Sequence, residues 1–103
     1  MYVISRVMSF QKGTYSSFVE RMSQPSAVNE FPGFIRKEIW VNTQGRDVDI
    51  VRVHIYWTSK EAHVAWEKSP IHLAQHRAHA GQPRPQEIVD SRHESYTLID
   101  SVG

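Results

Sequence analysis

The sequence predicts an α+β domain with the ferredoxin-like order β-α-β-β-α-β, the second helix being split in two. Three observations carry this. Apolar runs with a period of two alternate with stripes of helical period in that order along the chain. The segment Thr43-Gln44-Gly45-Arg46 has the composition of a hairpin connection between the second and third strands, with Gly45 expected to take a positive φ. Ser69-Pro70 reads as a new N-cap and first helical residue, so it restarts the last helix in a new direction.

Taken in order, Tyr2–Ser9 is β-branched and aromatic-rich and is expected to be the first strand, ended by Lys12-Gly13. Thr14 is expected to cap a helix whose apolar stripe is Tyr15, Phe18, Val19 and Met22, at i, i+3, i+4 and i+7. Two prolines and a glycine within 23–33 mark a loop with room for a short helical turn. Phe34–Asn42 and Asp47–Trp57 are the next two strands. In the latter, Val51, Val53, Ile55 and Trp57 alternate with Arg52, His54 and Tyr56. Thr58 and Glu61 fit a capping box ahead of a helix with Ala62, Ala65 and Trp66 inside. The third helix runs from Pro70 to about His79, and Gly81-Gln82-Pro83-Arg84-Pro85 connects it stiffly to a last strand, Glu87–Asp100, whose alternation is poor. Ile50 and Tyr56 give the third strand a second apolar face. Helices on one side of the sheet leave that face open, so a homodimer sealed through the sheet is expected.

With 103 residues, the chain is read as a single domain spanning 1–103 with a thin core. Twelve Lys and Arg against eleven Asp and Glu give no basic stripe, so no nucleic-acid partner is expected. No Cys is present, which removes disulfides, thiolate metal sites and a thiol nucleophile. No apolar run is long enough to span a bilayer and the start lacks a signal-peptide pattern, so the expected setting is the cytoplasm, with no membrane partner. No Gly-rich phosphate loop or Ser–His–Asp arrangement occurs, and no flavin or nicotinamide motif is seen.

The six histidines and three tryptophans hold the chemical interest. On a wheel of about 100° per residue, Ile71, Ala74 and Ala78 form an expected core face, and His72, His76 and His79 share a narrow stripe beside it. Three readings fit that stripe: solvated imidazoles, half of a zinc site, or an axial ligand of heme iron. No Glu sits in an HExxH arrangement between His72 and His76, so no free metal site is expected. Trp66 is read as a core aromatic or as the wall of a flat pocket beside the stripe. Trp57 is read as core, and Trp40 is placed toward the dimer seam. Arg6 shares its strand parity with Tyr2, Ile4 and Met8. It is either a surface charge or a cation that meets a carboxylate, such as a heme propionate, or a bound oxygen species. Arg36 and Glu38 are candidate partners in a polar network.

The run Tyr56-Trp57-Thr58-Ser59-Lys60-Glu61-Ala62, then Trp66-Glu67-Lys68-Ser69-Pro70, then His76, resembles the antibiotic-biosynthesis-monooxygenase superfamily. Within it the chain looks most like the Isd-type heme-degrading monooxygenases. Lys12-Gly13, Glu20-Arg21-Met22 and Pro32-Gly33-Phe34 extend the resemblance to nearly the whole chain. It implies a dimeric α+β barrel of ferredoxin-like subunits, and heme as both cofactor and substrate. It also implies O2 chemistry that opens the porphyrin and releases iron, with electrons from an external reductase. By the resemblance, Trp66 distorts the bound heme, His76 ligates its iron axially, and Met22 belongs to the heme-binding set. Arg6 stands where the family has a distal Asn. An amide donates and accepts hydrogen bonds, whereas a guanidinium only donates and stays charged. Two other outcomes stay open: a cofactor-free monooxygenase acting on a polycyclic aromatic, and a heme-binding protein without turnover.

Overall fold

The structure, a computed structural model, describes residues 1–103. Strand β1 is Tyr2–Gln11, helix α1 Ser16–Met22, and a single 3-10 turn covers Ala27–Glu30. Strands β2 (Phe34–Asn42) and β3 (Val48–Trp57) follow, then helices α2 (Lys60–Glu67) and α3 (Pro70–His79), and strand β4 (Ile88–Thr97). The four strands form one antiparallel sheet in the order β2-β3-β1-β4, which is the expected ferredoxin-like arrangement. No helix is long and apolar enough to cross a membrane.

Strand alternation decides what the helices cover. Met8 and Phe10 of β1, Val51 and Val53 of β3 and Ile88 of β4 pack against Phe18 of α1, with Tyr15, Val19 and Met22 around them. Trp57 at the end of β3 packs with Trp66 of α2 and with Val28 of the 3-10 turn. The core therefore has two lobes, one under α1 and one under α2. Trp57 is 1% exposed, as its place on the apolar face of β3 predicts.

The helix starts differ from expectation. Tyr15 occupies the α1 cap without a side-chain bond, and Thr14 Oγ1 instead donates to the carbonyl of Gln11. At α2 the cap is Ser59, whose hydroxyl accepts from the Ala62 N–H at 3.1 Å. The Thr58 N–H is bonded to the carbonyl of Gly33, so it is not free to donate to Glu61 as a capping box requires. Gly45 does not take a positive φ. It is a glycine by proximity, since a Cβ there would lie 2.6 Å from the carbonyl oxygen of Val48. Lys12 stitches this loop to β3: its ammonium donates to the Gly45 carbonyl at 2.7 Å and to Asp49 Oδ1 at 2.6 Å. Asp49 is 2% exposed and also accepts from the Gly13 N–H, and these bonds hold its carboxyl below the usual carboxylate range.

The inner face of α2 is Ala62, His63 and Trp66, while Ala65 points to solvent. The larger correction concerns α3. Ile71 is 54% exposed and Leu73 47%, Ala74 and Ala78 are also exposed, and no residue of the helix is buried. The expected core face is turned outward, and His72 is the one half-buried residue of the helix. One isoleucine and two alanines form too weak a stripe to fix the rotation of a helix. The break at Ser69-Pro70 fixes it instead: Ser69 Oγ accepts from the His72 N–H at 3.2 Å, and Pro70 occupies the first turn.

The sheet face away from the helices is polar and aromatic. The Tyr56 hydroxyl and Arg36 Nε donate to the Glu38 carboxylate at 2.7 and 3.0 Å, so the Arg36–Glu38 network exists on this face. Trp40 is 53% exposed and its ring lies 4.8 Å from that of His54. Ser5 Oγ and His54 Nε2 are buried on this side without hydrogen-bond partners.

Candidate functional site

A cleft of about 300 Å³ opens between the sheet and the helix pair α2–α3. Ile4, Ile55 and Trp57 supply its apolar lining from β1 and β3, and His93 enters from β4. The helices contribute His63, Trp66 and Glu67 from α2, and His72 and His76 from α3. Four of the chain's six histidines thus meet in one place. A wider depression of about 560 Å³ lies between the end of α1 and β2, but its lining is mainly polar and holds neither His nor Trp. An apolar cleft with a few convergent titratable groups is the better candidate.

The rings form a continuous chain of tilted and edge-on contacts. Trp66 is 7% exposed and rests edge-on against Phe31 at 5.3 Å. Its indole lies 5.0 Å from the His72 ring, and His72 meets His76 in a T-shaped contact at 4.5 Å. The i, i+4 spacing that the sequence shows becomes an actual imidazole pair. His63 fits between Tyr2 and Trp57, 5.7 Å from each ring, and its Nδ1 lies 3.2 Å from the Glu67 carboxylate.

Burial is the main cause that lowers the pKa of His63, His72 and His93, which favours the neutral form of each. Glu67 partly opposes this at His63, while His76 adds to it at His72 and Arg6 adds to it at His93. A neutral imidazole keeps one ring nitrogen free to accept a proton or ligate a metal. No group of three or more acidic or imidazole side chains is arranged to hold a metal ion by itself.

The structure brings Trp66, His72 and His76 together. His79 lies outside the cleft, its Nδ1 at 3.4 Å from Gln82 Oε1. Met22 packs against the lobe under α1 and does not line the cleft. Arg6 is beside the cleft: on β1 it is two residues from Ile4, and it pairs across to His93 on β4. Sequence reasoning missed His63 and His93. His63 stands three residues before Trp66, a helical signal for the same face. His93 carries no such signal, because only the β1–β4 register places it next to Arg6.

Residues 1–78 match the antibiotic biosynthesis monooxygenase family. The heme-degrading monooxygenase HmoA of Bacillus subtilis (strain 168) is 29% identical over 96 residues, covering 93% of this chain and 89% of that protein. Among solved structures, a Bacillus cereus protein assigned to antibiotic biosynthesis monooxygenases superposes with a TM-score of 0.85 at 29% identity, over 99% of this chain and 94% of the other. The heme degrader MhuD of Mycobacterium tuberculosis, solved with two hemes in its active site, superposes with a TM-score of 0.62 at 22% identity, over 98% and 99% of the two chains.

Proposed function

The chain belongs to the antibiotic biosynthesis monooxygenase family, and on that premise we propose that it is a heme-degrading monooxygenase. The observation that carries this reading is the His72–His76 imidazole pair, packed through His72 against Trp66, over an apolar cleft floor. The relative named as a heme-degrading monooxygenase supports it. The residues fit heme by their chemistry: imidazoles for the iron, a flat indole and aliphatic side chains for the porphyrin, and a cation beside the cleft for a carboxylate. Heme, when bound, supplies both the iron at which O2 reacts and the ring that is opened.

The chain's own residues then have separable tasks. His76, at the open end of this chain of rings, offers an imidazole nitrogen to the iron. His72 holds the His76 ring by their T-shaped contact and is itself fixed against Trp66. Trp66 cannot retreat, because Phe31, Trp57 and Val28 back it, so it presses on any flat ligand entering the cleft. Ile4 and Ile55 exclude water from the floor. Electrons come from an external donor or reductase, since the sequence has no dinucleotide-binding motif. The protein acts in the cytoplasm as a homodimer in which the face carrying Trp40, Tyr56 and the unpaired His54 Nε2 is covered by a second copy.

The test is a hemin titration of wild type and His76→Ala, followed by ascorbate under air. The expected result is a Soret band in wild type that bleaches on reduction, with the band weakened and shifted in His76→Ala. A stable Soret band after reduction reduces the protein to a heme binder. No Soret band at all removes heme and leaves a cofactor-free oxygenase.

A further inference from the structure

Arg6 is not explained by the fold. It sits mid-strand on the helix-covered side of β1, between the two core lobes. Its Nε is buried without a hydrogen-bond partner, and it takes part in none of the ion pairs of the structure. Its charged neighbours are cations. After burial, Arg21 is the cause that lowers the Arg6 pKa, and Arg6 in turn helps to lower that of His93. The guanidinium carbons of Arg6 and Arg21 lie 5.9 and 5.6 Å from the centre of the same Phe18 ring. A partly buried cation facing other cations costs folding free energy. An anion would remove that cost, and the protein supplies none there.

We propose that Arg6, with His93 beside it, forms a receptor for a carboxylate carried by the occupant of the cleft. A guanidinium grips a carboxylate through two parallel N–H donors, and the His93 ring N–H adds one more. Its place matches this role, because Ile4 and His93, the neighbours of Arg6 along and across the sheet, both line the cleft. The receptor therefore reads the edge of a ligand whose flat body lies against Trp66 and the imidazoles. Naming that ligand a porphyrin with propionate side chains rests on the heme reading, but the receptor does not.

The test uses metal-free protoporphyrin IX and its dimethyl ester, which removes iron ligation from the comparison. Binding is read by tryptophan quenching in wild type, Arg6→Gln and Arg6→Lys. Wild type is expected to bind the diacid about tenfold or more tighter than the diester, as one charge-assisted bidentate contact implies. Arg6→Gln is expected to bind the two alike, with Arg6→Lys between. Unliganded Arg6→Gln is expected to melt no lower than wild type, which a purely structural arginine would not allow. No preference for the diacid in wild type, or a preference kept in Arg6→Gln, overturns the receptor. If wild type binds neither porphyrin, the heme reading falls. The receptor is then decided by 1-naphthoate and 1-naphthamide in thermal shift. A rise in wild type with naphthoate only, absent in Arg6→Gln, upholds it, and no rise overturns it.

Discussion

Replacing Gly33 with alanine tests how the loop before β2 seats the site. Gly33 has φ +92°, and a Cβ on it would lie 2.4 Å from Ala62 Cβ and 3.1 Å from Thr58 Oγ1. Carbon atoms pack at about 3.5–4.0 Å, so α2 must back away by more than about 1 Å. The loop cannot yield instead without losing the bond from the Thr58 N–H to the Gly33 carbonyl, 2.9 Å long. The positive φ costs alanine about 1–2 kcal/mol and the overlap about 1–3 kcal/mol, so Gly33→Ala is expected to lose about 2–5 kcal/mol. At about 4–8 °C per kcal/mol for a domain of this size, the melting point drops by about 10 °C or more. Gly13→Ala is the control: Gly13 has φ +78° and a Cβ there would meet nothing within 4 Å, so only the backbone cost of about 1–2 kcal/mol applies. Urea unfolding of both variants, with Ala62→Gly added to the Gly33→Ala chain, isolates the overlap. The added substitution is expected to recover about 1–3 kcal/mol relative to its effect in wild type. If Gly33→Ala is as mild as Gly13→Ala, or if Ala62→Gly shows no coupling to it, the close approach of α2 to this loop is refuted. Because Trp66 lies four residues beyond Ala62 on α2, Gly33→Ala should also weaken hemin binding.

The histidines make stability depend on pH. His63, His72 and His93 have pKa values lowered by burial, so the folded state binds fewer protons than the unfolded chain. Their contribution is fully present above the ordinary histidine pKa of about 6.5 and is lost as pH falls below it toward the lowered values. The urea midpoint is therefore expected to fall between about pH 7.5 and about pH 5, and a midpoint that holds or rises would contradict neutral cleft histidines. Ser69→Ala removes the cap of a helix with no buried residue of its own, at a cost of about 1 kcal/mol. Hydrogen exchange along α3 should speed up about fivefold while the β1 amides, paired on both sides, stay unchanged. Equal acceleration in both would show that α3 opens only with the whole domain.

Much of the fold is legible in the sequence because it rests on short-range pattern. The alternation of Val51, Val53, Ile55 and Trp57 and the stripe of Phe18, Val19 and Met22 point their side chains by backbone geometry alone. Ser69-Pro70 announces the break between α2 and α3 for the same local reason. The caps of α1 and α2 each fall one residue later than the pattern suggests. Thr14 turns its hydroxyl back to the Gln11 carbonyl and Tyr15 takes the cap position, while at α2 the Ser59 hydroxyl makes the cap bond to the Ala62 N–H. Of the candidate site, Trp66 and the His72–His76 pair are visible as helical spacing.

What the sequence by itself determined is the order of elements, the alternation of the third strand and the pairing of His72 with His76, since these follow from periods of two and about 3.6 residues. Only the tertiary structure decided which side of α3 looks into the cleft, that Met22 belongs to the other lobe, and that His93 stands beside Arg6. The physical reason is that a weak stripe leaves helix rotation free until the chain docks. The neighbours of a strand residue, for their part, are set by register with β4, more than eighty residues away from Arg6 along the chain.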